Sequence, residues 1–129
     1  MELVTIVTML AIIEAAIFGL QAGLARAKGG VQAPAITGDE LFERRFRVHY
    51  NTIEQLIVFI PALWAFGHYV GQYWAAGLGA VFLVGRIVYA VSYVKDPATR
   101  GLGFAMSSLP SFVMAVGALI AATISLFAG

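Results

Sequence analysis

The chain contains no cysteine, which excludes disulfides and any protein thiol nucleophile and leaves the redox compartment unread. Charge is scarce as well. Only 12% of the 129 residues are Asp, Glu, Lys or Arg, against about 25% in an ordinary soluble domain. Hydrophobic residues make up 60%, and the mean hydropathy is +0.87. Too little polar surface exists for water to wet, so lipid must be the solvent for most of the chain. Neither an internal repeat nor a low-complexity tract is present.

What the sequence has instead is apolar length. A hydrocarbon core about 30 Å thick needs about 20 apolar residues per helical span, and runs of that kind lie near residues 3–25, 52–72, 75–94 and 104–128. The expected fold is an all-α integral membrane protein, a single four-helix domain over residues 1–129. Its helices are expected over 3–25, 38–72, 75–96 and 102–128, with a loop over 26–37. The cations are Arg26, Lys28, Arg44, Arg45, Arg47, Arg86, Lys95 and Arg100. Five fall between the first two apolar runs, two fall between the last two, and none lies at either terminus or in the 2–3 turn. The positive-inside tendency therefore puts both basic loops in the cytoplasm and both termini on the opposite side of a multi-pass protein. Ala25-Arg26-Ala27 imitates a signal-peptide cleavage site, but Glu2 leaves no basic n-region and the apolar run is long for an h-region, so a retained helix is expected.

Residues 29–38, GGVQAPAITG, read as a loop. Thr37 and Glu40 have capping-box spacing, which predicts that the second helix starts near residue 38, ahead of the membrane, so that Arg44, Arg45 and Arg47 stay out of hydrocarbon. Pro97 marks the end of the third helix and Pro110 should bend the fourth. Gly19/Gly23 and Gly67/Gly71 are candidate sites of close helix contact. Tyr50, Tyr69, Tyr73, Trp64 and Trp74 read as packing or interfacial-belt residues.

Polar side chains interrupt this pattern in two stripes. Residues three, four and seven apart share a helix face, so Arg47, Asn51 and Glu54 line one face of the second helix, and Arg86, Tyr89 and Tyr93 line one face of the third. A charge within the bilayer costs at least a few kcal/mol and is paired or functional, so Glu54 and Arg86 each need a partner or an aqueous pocket. A purely architectural Glu54–Arg86 salt bridge is the bland reading. Glu14, alone in the first helix, is expected to hydrogen-bond within the bundle or to pair with Arg86. As a recognition surface the stripes suit a small zwitterionic peptide: arginine forks hold carboxylates, a carboxylate holds an ammonium, and an asparagine amide serves a peptide group.

FERRFRVHYNTIEQ at 42–55, Leu63-Trp64 and GRIVYAVSYVKDPATR at 85–100 resemble the signature regions of the MAPEG superfamily, the membrane-associated proteins of eicosanoid and glutathione metabolism. The pattern E-R-x-x-R-x-x-x-N-x-x-E runs from Glu43-Arg44 through Arg47, Asn51 and Glu54, and Arg86, Tyr89, Tyr93 and Arg100 keep the second region's spacing. The resemblance implies a homotrimer of four-helix subunits that binds glutathione as co-substrate between neighbours near the cytoplasmic face. It implies that Arg26, Arg47, Asn51, Glu54, Tyr89 and Tyr93 bind glutathione, and that Arg100 is the catalytic residue holding its sulfur as thiolate. A lipophilic electrophile or lipid hydroperoxide would approach from the membrane. Arg86 and Glu14 are expected to be structural charges, and neither a metal nor a nucleic-acid partner is expected.

Two positions depart from the family pattern: Gln55 where an aromatic is common, and Ile57 where a proline is common, with Pro61 one turn later. His49 stands where relatives often carry glutamine; contact with glutathione is one reading of it, and a solvated interfacial histidine is the blander one. Two other functions fit the outline. A lipid-binding scaffold without catalysis keeps the same fold, and a small proton-coupled multidrug transporter also has four spans and a carboxylate like Glu14 in the first. Against the transporter stands the long charged segment between the first two spans, which a minimal alternating-access dimer does not need.

Overall fold

The computed structural model describes residues 1–129 as four long helices, α1 (Glu2–Gly29), α2 (Glu40–Tyr69), α3 (Gln72–Lys95) and α4 (Gly101–Ala128), with a 3-10 turn, Pro97–Thr99, before the last. Three of them, α1, α3 and α4, are long and apolar enough to cross a membrane. Helix α2 is longer still, but the polar stripe in its first half keeps it below that apolar density.

The connections have local chemical causes. Helix α1 ends in a Schellman motif: Gly30 takes φ 68, its N–H donates to Ala27 O, and Val31 N–H reaches back to Arg26 O at 3.1 Å. The accompanying apolar contact is present too, since Val31 packs with Ala25 and Phe42. Arg26 and Lys28 therefore belong to the last turn of α1, where cations face the negative end of the helix, and not to a loop starting at 26. At α2 the cap is Asp39 instead of Thr37. Its carboxylate accepts from Phe42 N–H at 3.0 Å, while Glu43 reaches back to Gly38 N–H at 3.0 Å. A carboxylate one residue before the first helical turn meets the free N–H groups directly, so the helix begins at Glu40. Between α2 and α3 only Val70 and Gly71 are non-helical, and the φ of 143 at Gly71 makes that turn possible.

Helices consecutive in the chain run antiparallel, so α1 and α3 run parallel. Leu3 N–H at the start of α1 bonds Gln72 Oε1 at the start of α3, and Arg44 near the start of α2 meets the end of α3. The main core joins Val4, Val7 and Ala11 to Phe59, Leu63, Phe82 and Met114, with the rings of Phe59 and Phe82 stacked at 3.7 Å. A smaller cluster of Phe18, Val48, Tyr89 and Ala90 lies toward the basic end. Glycine lets the helices close up, though not everywhere expected. Gly19 lies under the His49 ring and Gly67 under Val4, but Gly23 and Gly71 touch nothing; at Gly85 and Gly103, α3 and α4 approach backbone to backbone. Trp64 stays exposed but donates its indole N–H to Thr8 Oγ1 at 2.9 Å, tying α2 to α1.

Candidate functional site

At the basic end of the bundle α2 and α3 diverge around a cleft of about 460 Å³, lined by Gly38, Asp39, Glu40, Glu43, Arg44, Arg47 and Tyr93. Most of its charges are already occupied. Asp39 caps α2, Glu43 holds Gly38 N–H, and Glu40 pairs with Arg44. Arg44 also donates to the carbonyls of Val94 and Lys95 at 2.9 and 3.1 Å, tying α2 to the carbonyl-bearing end of α3. Arg47 is exposed and makes no hydrogen bond or ion pair within the chain. The cleft thus offers one uncommitted guanidinium, the side chain suited to a two-pronged hold on a carboxylate.

Behind Arg47 and Tyr93 the polar residues connect into one array. Tyr93 stacks on Tyr89 at 5.6 Å between ring centroids, the Arg86 guanidinium lies 4.3 Å from the Tyr89 ring centre, and Arg86 Nη1 donates to Asn51 Oδ1 at 2.9 Å. Stripes on two helices are therefore joined through Arg86, which is fully buried.

That contact corrects the expected ion pairing. No carboxylate lies within ion-pair distance of Arg86; the chain's two ion pairs are Met1 N-terminus to Glu2 and Arg44 to Glu40. Glu54 is one turn beyond Asn51 but rotated about 60° around the helix, enough to leave it exposed on the outer face beside Ile53, Ile57 and Val58. Glu14 is half-buried with one carboxylate oxygen buried and unbonded, as are Arg86 Nε and Nη2.

The remaining expected site residues are placed differently. Arg26 donates to Ala35 O at 2.6 Å and lies 4.4 Å from the Phe42 ring centre, so within one chain it anchors the 1–2 loop. Arg100 is exposed at the start of α4 and donates to Pro97 O at 2.8 Å. A single chain brings together Arg47, Asn51, Tyr89 and Tyr93, and leaves Arg26, Glu54 and Arg100 outside that array. Two supporting contacts lie outside the sequence reading, the hold of Arg44 on the end of α3 and the Arg86–Asn51 bond. Arg44 has a visible signal, Glu40 at the i, i+4 spacing; the Arg86–Asn51 bond had none, because it depends on how α2 and α3 face each other.

The MAPEG family model matches residues 3–120. An uncharacterised protein of Synechocystis sp. is 49% identical over 115 residues, covering 89% of this chain and 84% of its own. Human microsomal glutathione S-transferase 2 is 39% identical over 81% of this chain and 71% of its own, and leukotriene C4 synthase of Cavia porcellus is 35% identical over 76% and 65%.

Proposed function

We propose that this chain, which belongs to the MAPEG family, is a membrane-bound glutathione transferase that activates the glutathione thiol toward a lipophilic electrophile. The observation that carries the reading is the cleft between α2 and α3, where an unpaired Arg47 faces Tyr93 and the array behind them ends at Asn51. Glutathione has two carboxylates, one ammonium and two peptide groups. Arg47 takes a carboxylate, the Asn51 NH₂ group donates to a carbonyl, the tyrosine hydroxyls supply further contacts, and Glu54 accepts from the ammonium.

The chemical step needs the sulfur as thiolate, which is the nucleophilic form of a group that titrates at about 8.5 when free. Arg100 lowers that value by placing permanent positive charge beside the sulfur. No side chain then has to remove the proton during attack. The thiolate sulfur bonds to the electrophilic carbon and the leaving group departs with its electron pair. With a lipid hydroperoxide, two glutathiones supply the two electrons that cleave the O–O bond. Arg26, Glu54 and Arg100 complete the site in a homotrimer, with glutathione held between neighbouring subunits. The apolar co-substrate enters from the membrane side.

The direct test is ultraviolet thiolate absorbance on mixing the purified protein with glutathione at neutral pH, in parallel with Arg100→Ala. A thiolate band that the substitution abolishes is the expected result. If the unsubstituted protein gives no band and binds no glutathione, the transferase reading fails and a lipid-binding scaffold takes its place.

A further inference from the structure

We infer that a second cleft, between α1 and α3 on the other side of the bundle's basic end, binds one anionic phospholipid of the surrounding membrane. The cleft has a volume of about 370 Å³; Phe18, Ile87 and Val91 form its apolar wall, and Gln21, Arg45 and Lys95 form its polar rim. It continues into a hollow of about 210 Å³ that shares Gln21 and Arg45 and adds Lys28. No acidic residue lines either space. The three cations come from three helices, Lys28 in the last turn of α1, Arg45 near the start of α2 and Lys95 at the end of α3.

These charges have almost nothing to bind within the chain. Arg45 gives one N–H to Gln21 Oε1 at 3.1 Å, which holds the guanidinium over the cleft, and its other donors have no partner. Neither lysine makes a side-chain hydrogen bond or ion pair. Charge complementarity therefore selects a phosphate, and the apolar wall below selects a phosphate that carries an acyl chain. Inside a bilayer that chain gains little by leaving other lipid tails, so the headgroup charge decides which lipid stays. The cleft is separate from the proposed glutathione site. Arg45 and Arg47 are two residues apart on α2, as are Val91 and Tyr93 on α3, and two residues turn a helix by about 200°.

Native mass spectrometry of the protein released from mixed phosphatidylglycerol and phosphatidylcholine micelles reads this out as lipid retained per chain. One phosphatidylglycerol per chain is expected, retained about tenfold or more over phosphatidylcholine, and the Arg45→Gln/Lys95→Gln variant should fall to the phosphatidylcholine level. Val91→Trp fills the slot with every charge in place and should also release the lipid. Equal retention of the two lipids, or full retention by either variant, overturns the inference; retention by Val91→Trp would mean general attraction to the basic end. Loss of a subunit in place of a lipid would overturn it too, by marking the cleft as an interface between copies. Glutathione binding serves as the folding control for both variants, since none of the substituted residues touches that site.

Discussion

Asn51 meets its surroundings with one end of its amide already used. Arginine only donates hydrogen bonds, so the atom facing Arg86 Nη1 at 2.9 Å must be the amide oxygen, and the NH₂ group is left to point elsewhere. The orientation that suits a peptide carbonyl is thus set by a buried residue that touches no ligand. Asn51→Asp separates the two roles. The carboxylate still accepts from Arg86, so helix packing should persist, but the donor is gone and a negative charge faces the ligand's carboxylates. Loss of a hydrogen bond between neutral groups costs about 0.5–1.5 kcal/mol, so glutathione affinity measured by equilibrium dialysis should weaken about two- to tenfold from that loss and further from the added charge, with the thermal unfolding midpoint little changed. Unchanged affinity would remove Asn51 from the site. In the sequence, Arg47, Asn51 and Glu54 announce themselves as a stripe because helical spacing alone puts them on one face. Which of them looks into the bundle and which looks out is decided by neighbours, and the bland alternative of a Glu54–Arg86 salt bridge gives way to Arg86 bonding Asn51.

At the level of elements, the closest packing in the molecule lies where α4 crosses α3. A Cβ added at Gly103 would collide with the backbone N and Cα of Tyr89, atoms that cannot swing aside as a side-chain tip could. Gly101, two residues earlier, has nothing within 4 Å of the same added atom. The pair makes an internal comparison. Gly101→Ala should be neutral or stabilise by up to about 1 kcal/mol through the unfolded state, whereas Gly103→Ala should cost about 1–3 kcal/mol by overpacking, read as thermal unfolding in detergent. Because the displaced backbone carries Tyr89, which stacks on Tyr93, Gly103→Ala should also weaken glutathione binding. Equal unfolding midpoints for the two variants would contradict this packing. Sequence reading found the helices themselves readily, since apolar length is a property of each segment alone. Of the pairs Gly19/Gly23 and Gly67/Gly71 that it names, Gly19 and Gly67 meet a neighbour and Gly23 and Gly71 do not, because a glycine's partner belongs to another helix. Likewise Thr37 and Asp39 both offer an oxygen to a helix start, and only the path of the chain after Gly38 brings Asp39 to Phe42 N–H.

For the whole molecule, the decisive feature is a charge on the outside. Glu54 is exposed on α2 among Ile53, Ile57 and Val58, of which Ile57 is 71% exposed. Apolar side chains can face lipid at no cost, but a carboxylate within the hydrocarbon costs at least a few kcal/mol. At that depth the charge needs another protein surface that encloses a polar space. In the proposed homotrimer a second copy of the chain would provide that surface, since closed rotational symmetry is the usual way for identical copies to cover identical patches. The proposed trimer would place Glu54, Arg26 and Arg100 around such an enclosed space, and would account for one chain alone assembling only part of the proposed glutathione site. Native mass spectrometry in mild detergent should accordingly give three copies of the 13.8 kDa chain, with glutathione binding lost whenever the copies separate. A single copy that binds glutathione with full affinity would show that the site needs no neighbour, and Glu54 would then have to be explained by its position at the headgroup level instead of by burial between subunits.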